Sequence, residues 1–471
     1  MIDILLVSPR FSIEKVYGRI KRTYTVGMPL GLAYLAAYLL EKKVKVNIID
    51  LQIEEVEELE DMLINEKPKI VGISSVTTNY LDALNIARIV KEIDKKVIVV
   101  LGGPHPSSLP EKCIENEYID IVVKGEGEET LFELYEHINQ KKRLTGIQGI
   151  YYKESGNIIS NPPRQPIEDI DKIPYPARHL LKREKYDIPA SLVFKKPVEY
   201  AFSSRGCPYK CIFCAGSKLL SKVNRRHSNE RIIREIQHLI DEYGTKQISF
   251  FDDLFVRDRR ETDELCNMII DRGINKKIVW TCASRVDNVN PDILKKMHKA
   301  GCRYIMYGLE TGSERLMKLI KKGITLEQVR NALTWTREAR IKSGGSFILG
   351  LPTETYEESL QTIEFSKTLD LDWAQFTIAT PYPGTELYEQ VKNELGENWF
   401  EYNEMAADSN YKPSFIPAGR TEKELTFLQH KGVREFYYRP SQMLRVIRNI
   451  RNIHQIKIMG ISLISHIGWI K

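Results

Sequence analysis

The stretch Ser203-Ser204-Arg205-Gly206-Cys207-Pro208-Tyr209-Lys210-Cys211-Ile212-Phe213-Cys214 puts three thiols within eight positions. Thiolates spaced C-x-x-x-C-x-x-C reach three irons of a [4Fe–4S] cube from one loop, and the fourth iron is left for a chelating small molecule. A structural zinc site is the competing reading, but zinc needs four ligands in paired motifs. No second C-x-x-C or C-x-x-H pair occurs in the chain. Three merely structural cysteines would not need this spacing beside Gly, Pro and aromatic residues. The other four of the seven cysteines, Cys113, Cys266, Cys282 and Cys302, stand alone, so the pattern is one metal site and no disulfide framework.

The sequence on both sides of this loop alternates apolar runs with helical stretches. Downstream, strands are expected at 198–203, 247–251, 278–283, 304–308, 345–349 and 373–380. Six such units predict a partial (β/α)6 TIM-type barrel over 196–400, with chemistry at the carboxyl ends of its strands. Upstream, runs at 4–7, 44–51, 69–75, 97–101 and 119–123 alternate with helices around 30–41, 54–65, 80–93 and 129–139. That rhythm predicts an α/β, doubly wound (Rossmann-like) parallel sheet over 1–140. Ligands of such sheets bind beyond the carboxyl ends of the strands. Those ends carry Ser74-Ser75, Gly102-Gly103 and Gly125-Glu126-Gly127, which offer small residues or bare backbone to a large planar ligand. Residues 141–195 hold a Gly156-Asn157 turn and five prolines between 162 and 176, and read as a connector. Residues 401–471 read as a basic helical C-terminal region.

The cysteine loop, with Phe213 just before its third thiol, resembles that of radical S-adenosylmethionine enzymes, and the resemblance runs from about 195 to 390. It implies that Cys207, Cys211 and Cys214 ligate the cube and that S-adenosylmethionine chelates the open iron and is cleaved to a deoxyadenosyl radical. Looser matches follow the strands. They are Phe251-Asp252-Asp253-Leu254-Phe255, Trp280 with Arg285, Gly308-Leu309-Glu310-Thr311-Gly312, Gly350-Leu351-Pro352-Thr353-Glu354 and Pro381-Tyr382-Pro383-Gly384-Thr385. They imply cosubstrate contacts at Asp253, Arg285, Glu310 and Gly350, although Asp252 and Asp253 also suit a helix cap and Glu310 a structural ion pair.

The first 140 residues resemble the cobalamin-binding domain that precedes many radical S-adenosylmethionine enzymes. The matching words are Met28-Pro29-Leu30-Gly31-Leu32, Gly102-Gly103-Pro104-His105-Pro106 and Lys124-Gly125-Glu126-Gly127-Glu128. Ser74, Ser75, Gly102, Gly103, His105, Gly125 and Glu126 are the implied cofactor contacts. The D-x-H-x-x-G motif that supplies a cobalt ligand in many cobalamin proteins is absent. His105 is therefore either a cobalt ligand, a strand-end cap or a contact at the corrin edge. A doubly wound module without cofactor is the alternative for the whole domain. No G-x-G-x-x-G follows the first strand, which weakens a nicotinamide reading.

The implied cofactors are a [4Fe–4S] cluster, S-adenosylmethionine and cobalamin, and the implied activity is methyl transfer to an unactivated carbon. An oxidative cyclase of the magnesium-protoporphyrin monomethyl ester cyclase type needs the same cofactors and stays open, as does a non-catalytic sensor. Methylthiotransferases carry a second cluster on three N-terminal cysteines, and this region has only Cys113. The expected partners are a small-molecule or lipid-like substrate and an electron donor such as flavodoxin or ferredoxin.

Charge does not point to nucleic acid. Residues 431–471 hold eight Lys or Arg and one acid, so the remainder of this chain of net charge +6 sums to −1. The start of the chain reads as a buried strand and not a signal peptide, and no apolar run reaches the roughly 18 residues of a membrane span. A cytoplasmic location is expected. In the tail, Arg445, Arg448 and Arg451 recur at helical spacing beside Leu444, Ile447, Ile450 and Ile453. That basic and apolar helix, with the apolar segment 459–470, is expected to contact a membrane surface peripherally or to capture a hydrophobic substrate, unless it simply packs on the barrel.

Overall fold

The computed structural model describes residues 1–11, 25–216, 223–395 and 413–448, and the chain divides into two compact units. The described part of the first unit ends at Asp187. Its sheet contains β1 (Ile4–Ser8), β2 (Val46–Asp50), β3 (Ile70–Ser74), β4 (Ile98–Gly102), β5 (Ile121–Val123), β6 (Ile150–Glu154) and β7 (Asn157–Ser160). The spatial order is β2-β1-β3-β4-β5-β6-β7. The first five strands pair in parallel and the last two add an antiparallel edge. Helices α1 (Leu30–Glu41), α2 (Val56–Glu66), α3 (Tyr80–Ile93) and α4 (Glu128–Asn139) connect the parallel strands or follow them. A strand covered on both faces reads as an unbroken apolar run, and Ile4, Leu5, Leu6 and Val7 are all buried. The order reverses between β1 and β3, the switch point where such sheets leave a crevice.

The Gly156 turn forms the β6–β7 hairpin, so part of the segment read as connector extends the first sheet. The connector as far as Asp187 is tied to the same unit, and 188–195 belong to the second. Tyr186 donates its hydroxyl to buried Asp50 at 3.0 Å, and Lys182 pairs with Glu54 and Glu58.

The second unit begins at Ile188. It holds β8 (Val198–Ala201), β9 (Gln247–Phe250), β10 (Val279–Ser284), β11 (Cys302–Glu310), β12 (Lys342–Leu349) and β13 (Trp373–Ile378). All neighbours are parallel and lie in chain order, the arrangement of a partial barrel. Between them run α5 (Asn229–Tyr243), α6 (Arg259–Asp271), α7 (Pro291–Lys299), α8 (Leu326–Glu338) and α9 (Tyr356–Thr368).

Each of these helices starts on a side-chain cap: Ser228, Asp258, Asn290, Thr325 and Thr355 accept from the first-turn amides. Such a cap contributes about 1 kcal/mol. Here each also fixes the far end of a strand-to-helix loop, and those loops carry the candidate residues. The cap of α6 is Asp258, so neither Asp252 nor Asp253 has that role.

The tail helices α10 (Glu422–Tyr437) and α11 (Pro440–Arg448) pack on the barrel. Gln429 donates to the Phe376 carbonyl at 3.0 Å and Tyr437 to that of Ala374 at 2.9 Å. Arg445 donates to the Leu371 carbonyl at 2.6 Å and pairs with Asp370. The described part of this helix follows the alternative of packing on the barrel, although Arg445, expected to be solvated there, is spent on the barrel too. Met443 and Leu444 are exposed on the same helix. Ile450, Arg451, Ile453 and 459–470 lie outside the described residues. Among the described residues no helix is long and apolar enough to cross a membrane.

Candidate functional site

The cysteine loop follows β8 and is fastened on several sides. Buried Asp252, just past β9, accepts from the Ser203 amide at 2.9 Å and from the Ser203 and Ser204 hydroxyls, both at 2.7 Å. Asn224 donates to Ser204 Oγ at 3.2 Å and to the Gly206 carbonyl at 2.6 Å, which closes the far end of the loop on its start. Tyr209 donates to Asn288 at 2.9 Å. The Ile212 amide donates to the Ile320 carbonyl at 3.1 Å, and its carbonyl accepts from the Leu387 amide at 2.8 Å. The loop is therefore held in shape by the strand-end segments around it.

Cys207, Cys211 and Cys214 are free thiols on this loop. The protein packed around them pushes all three above the usual thiol range, although Cys214 is itself open to solvent. At Cys211 the nearby Lys322 and Arg285 oppose that rise, whereas Asp253 adds to it at Cys207 and Cys214. Three such thiols become thiolates together only against positive charge, which bound iron supplies. Among the described residues no three His, Cys, Asp or Glu converge on one point as the ligands of a single ion do. A cube takes thiolate ligands, one to each iron, and this loop offers three free thiols. The donor set fits an iron–sulfur cube.

The strand-end candidates divide by position. Asp253 opens to solvent beside the loop, and surrounding protein raises its carboxyl above the usual range. Its carboxylate lies 3.5 Å from the point where a Cβ on Gly216 would stand. Arg285 stacks on the Tyr209 ring at 3.6 Å, pairs with Asp287, donates to the Lys322 carbonyl at 2.7 Å and turns Nη1 toward Cys211 Sγ at 4.0 Å. Glu310 ends β11 with φ of 64° and pairs with buried Lys322 at 2.6 Å. Gly308 makes room for that pair, since a Cβ there would stand 2.3 Å from Glu310 Oε1. These three residues gather around the cysteine loop.

Gly350 instead turns under the tail helix, with Leu425 at 3.1 Å from its would-be Cβ. Trp280 is fully buried and donates to the Ala300 carbonyl, so it belongs to the core. Lys322 and Asp252 also belong to this site, on the geometry alone. A lysine in a charged run and one member of an Asp-Asp pair carry no signal until the fold buries them.

In the first unit, Gly103 has φ of 103°, and a Cβ there would stand 2.7 Å from the Ser75 carbonyl oxygen and 3.2 Å from Ser74 Oγ. The ends of β3 and β4 thus meet backbone to backbone, with Ser75 N donating to the Gly102 carbonyl at 2.8 Å. Gly125 has open space around it, and its amide donates to Ser107 at 3.0 Å. Glu126 accepts from the Ile167 amide at 2.8 Å, which ties the connector down. His105 is 2% exposed, contacts Thr77 through Nδ1 at 3.2 Å and packs on the Tyr80 ring. Burial, and then Lys112, hold its imidazole at about 4, so it is neutral. A ring so covered does not present itself at the strand-end surface as a cobalt ligand would.

Residues 19–135 match the B12 binding domain and residues 202–366 the radical SAM superfamily. An uncharacterized methyltransferase of Pyrococcus horikoshii is 38% identical over 455 residues, covering 95% of each chain. The anaerobic magnesium-protoporphyrin IX monomethyl ester cyclase of Rubrivivax gelatinosus is 28% identical over 80% of this chain and 68% of its own. Among solved structures, the radical S-adenosylmethionine methyltransferase TsrM of Kitasatospora setae, with cobalamin and a [4Fe–4S] cluster bound, superposes with a TM-score of 0.68 at 19% identity. That match covers 83% of this chain and 74% of TsrM. The chain belongs to the radical S-adenosylmethionine enzymes that carry an N-terminal cobalamin-binding domain.

Proposed function

We propose that this enzyme transfers a methyl group from S-adenosylmethionine to a carbon of a small-molecule substrate. The observation that carries the reading is full-length similarity to a methyltransferase, with both domains present and three free thiols on one braced loop. When bound, the cube supplies the electron that cleaves S-adenosylmethionine and cobalamin carries the methyl group. The chain's part is to hold them. Cys207, Cys211 and Cys214 ligate three irons, and Asp252 and Asn224 keep the loop in shape for them. Asp253, Arg285 and Glu310 stand where the cosubstrate's polar groups would approach the open iron. The ends of β3, β4 and β5, at Ser74, Ser75, Gly102, Gly103 and Gly125, would offer cobalamin a low rim of small residues and bare backbone. A flavodoxin- or ferredoxin-type donor supplies electrons one at a time.

The test is product analysis after anaerobic reconstitution with iron, sulfide and cobalamin. A methylase that uses S-adenosylmethionine both as methyl donor and as radical source releases S-adenosylhomocysteine as well as 5′-deoxyadenosine. A cyclase releases only 5′-deoxyadenosine, and that result would replace the methylase reading.

A further inference from the structure

Cys211 differs from its two partners in what surrounds it. Two residues before it, the Tyr209 ring carries the Arg285 guanidinium at 3.6 Å; two residues after it, the Phe213 ring lies 5.9 Å from the Lys322 ammonium. Each cation is held in place by one carboxylate. Asp287 takes Nε and Nη2 of Arg285, which leaves Nη1 directed at Cys211 Sγ, 4.0 Å away. Glu310 takes Lys322 at 2.6 Å, both groups being buried. The two cations are also linked, since Arg285 donates to the Lys322 carbonyl at 2.7 Å. At Cys214 a carboxylate stands instead, since Asp253 Oδ2 and Cys214 Sγ lie 3.5 and 3.6 Å from the point where a Cβ on Gly216 would stand. The loop therefore has cations beside Cys211 and a carboxylate beside Cys214.

We propose that Lys322 and Arg285 are positioning residues that set the reduction potential of the iron–sulfur cube through Cys211, with Glu310 and Asp287 holding them there. The proposal rests on the reading of the three cysteines as cluster ligands. One-electron reduction makes the cube one charge more negative, with the electron coming from an external reductant. Cations nearby favour that state, and in a buried site the effect is large because little solvent screens it. The Asp287 carboxylate lies on the far edge of the guanidinium and leaves Nη1 facing the thiol.

The experiment is a dithionite titration of the full-length protein, reconstituted with iron and sulfide, followed by the electron paramagnetic resonance of the reduced cube. It is run without S-adenosylmethionine, so that cosubstrate contacts do not enter. Lys322→Met should shift the potential to more negative values and Glu310→Gln to more positive ones, while Lys322→Arg stays at wild type. Removing Lys322 alone strands a buried carboxylate and can prevent loading. The double variant K322M/E310Q avoids that, and its potential should fall below that of E310Q alone. A merely structural pair would give shifts of one sign, or none. Same-sign shifts in the two single variants, or a double variant level with E310Q, overturn the proposal. Failure of the cluster reading itself looks different, because the wild-type protein would then hold no iron.

Discussion

At the carboxyl ends of β3 and β4 the chain is packed backbone to backbone. Gly103 leaves no room for a Cβ against Ser75, and the one nearby imidazole, His105, is buried and neutral. At the carboxyl ends of β9, β10 and β11 the chain does the opposite. There it gathers Asp253, Arg285 and Glu310, with Lys322, around three thiols, and holds both cations in ion pairs. Both are strand-end sites of parallel sheets. What separates them is whether the guest needs bare surface or fixed charge. A wide, flat cofactor is served by small residues and close backbones. An anionic cube with a zwitterionic cosubstrate is served by charges that cannot move.

The largest effect that would break this contrast lies at the thiols. Replacing any one of Cys207, Cys211 or Cys214 with Ala should abolish cleavage of S-adenosylmethionine, read as loss of 5′-deoxyadenosine. Cys266, Cys282 and Cys302 are buried in the barrel and should be replaceable with the cluster kept, at about 1–2 kcal/mol each in stability by denaturant unfolding. Loss of cluster from one of these variants would mean that the ligand set was misassigned.

Next come the two glycines of the first unit. Gly103→Ala drives a Cβ into the Ser75 backbone and should cost about 2–4 kcal/mol, with cobalamin binding lost. Gly125→Ala meets open space, and its φ of 91° alone should cost about 1 kcal/mol. Equal costs would show that the close approach at Gly103 is not what shapes the rim.

His105 gives a pH signature. Its folded value of about 4 lies below the ordinary 6.5, so between those values the unfolded chain binds a proton that the folded chain refuses. Stability should therefore fall as the pH drops from 6.5 through about 4, by up to about 3 kcal/mol. His105→Phe should flatten that slope. An unchanged slope, or cobalt spectra that show a nitrogen ligand lost on His105→Ala, would place the ring outside the core.

The smallest effect is in the tail. Arg445→Ala should cost about 1 kcal/mol through its pair with Asp370 and leave flotation on anionic vesicles unchanged. A clear loss of flotation would show that this arginine faces a membrane.

The strands were legible because both units repeat a β/α rhythm whose buried strands are unbroken apolar runs. The cysteine loop was legible because its chemistry is written in local spacing. What was not legible depends on distant pairings. Lys322 meets Glu310 only because β11 bulges after Gly308, and Asp252 reaches back to Ser203 only because β8 and β9 are neighbours. The place of His105 after Gly-Gly-Pro leaves it open between a cobalt ligand, a strand-end cap and a contact at the corrin edge. Tyr80 and Thr77, which cover it, come from the loop and helix after β3.

Metal content tests the central claim most directly. Full-length protein, reconstituted with iron, sulfide and cobalamin and then desalted, should hold about four irons and one cobalt per chain. The Cys207, Cys211 and Cys214 triple alanine variant should hold the cobalt and no iron, because the two sites are built on separate sheets. Iron retained by the triple variant, or wild-type protein that holds no cobalt, would contradict the account.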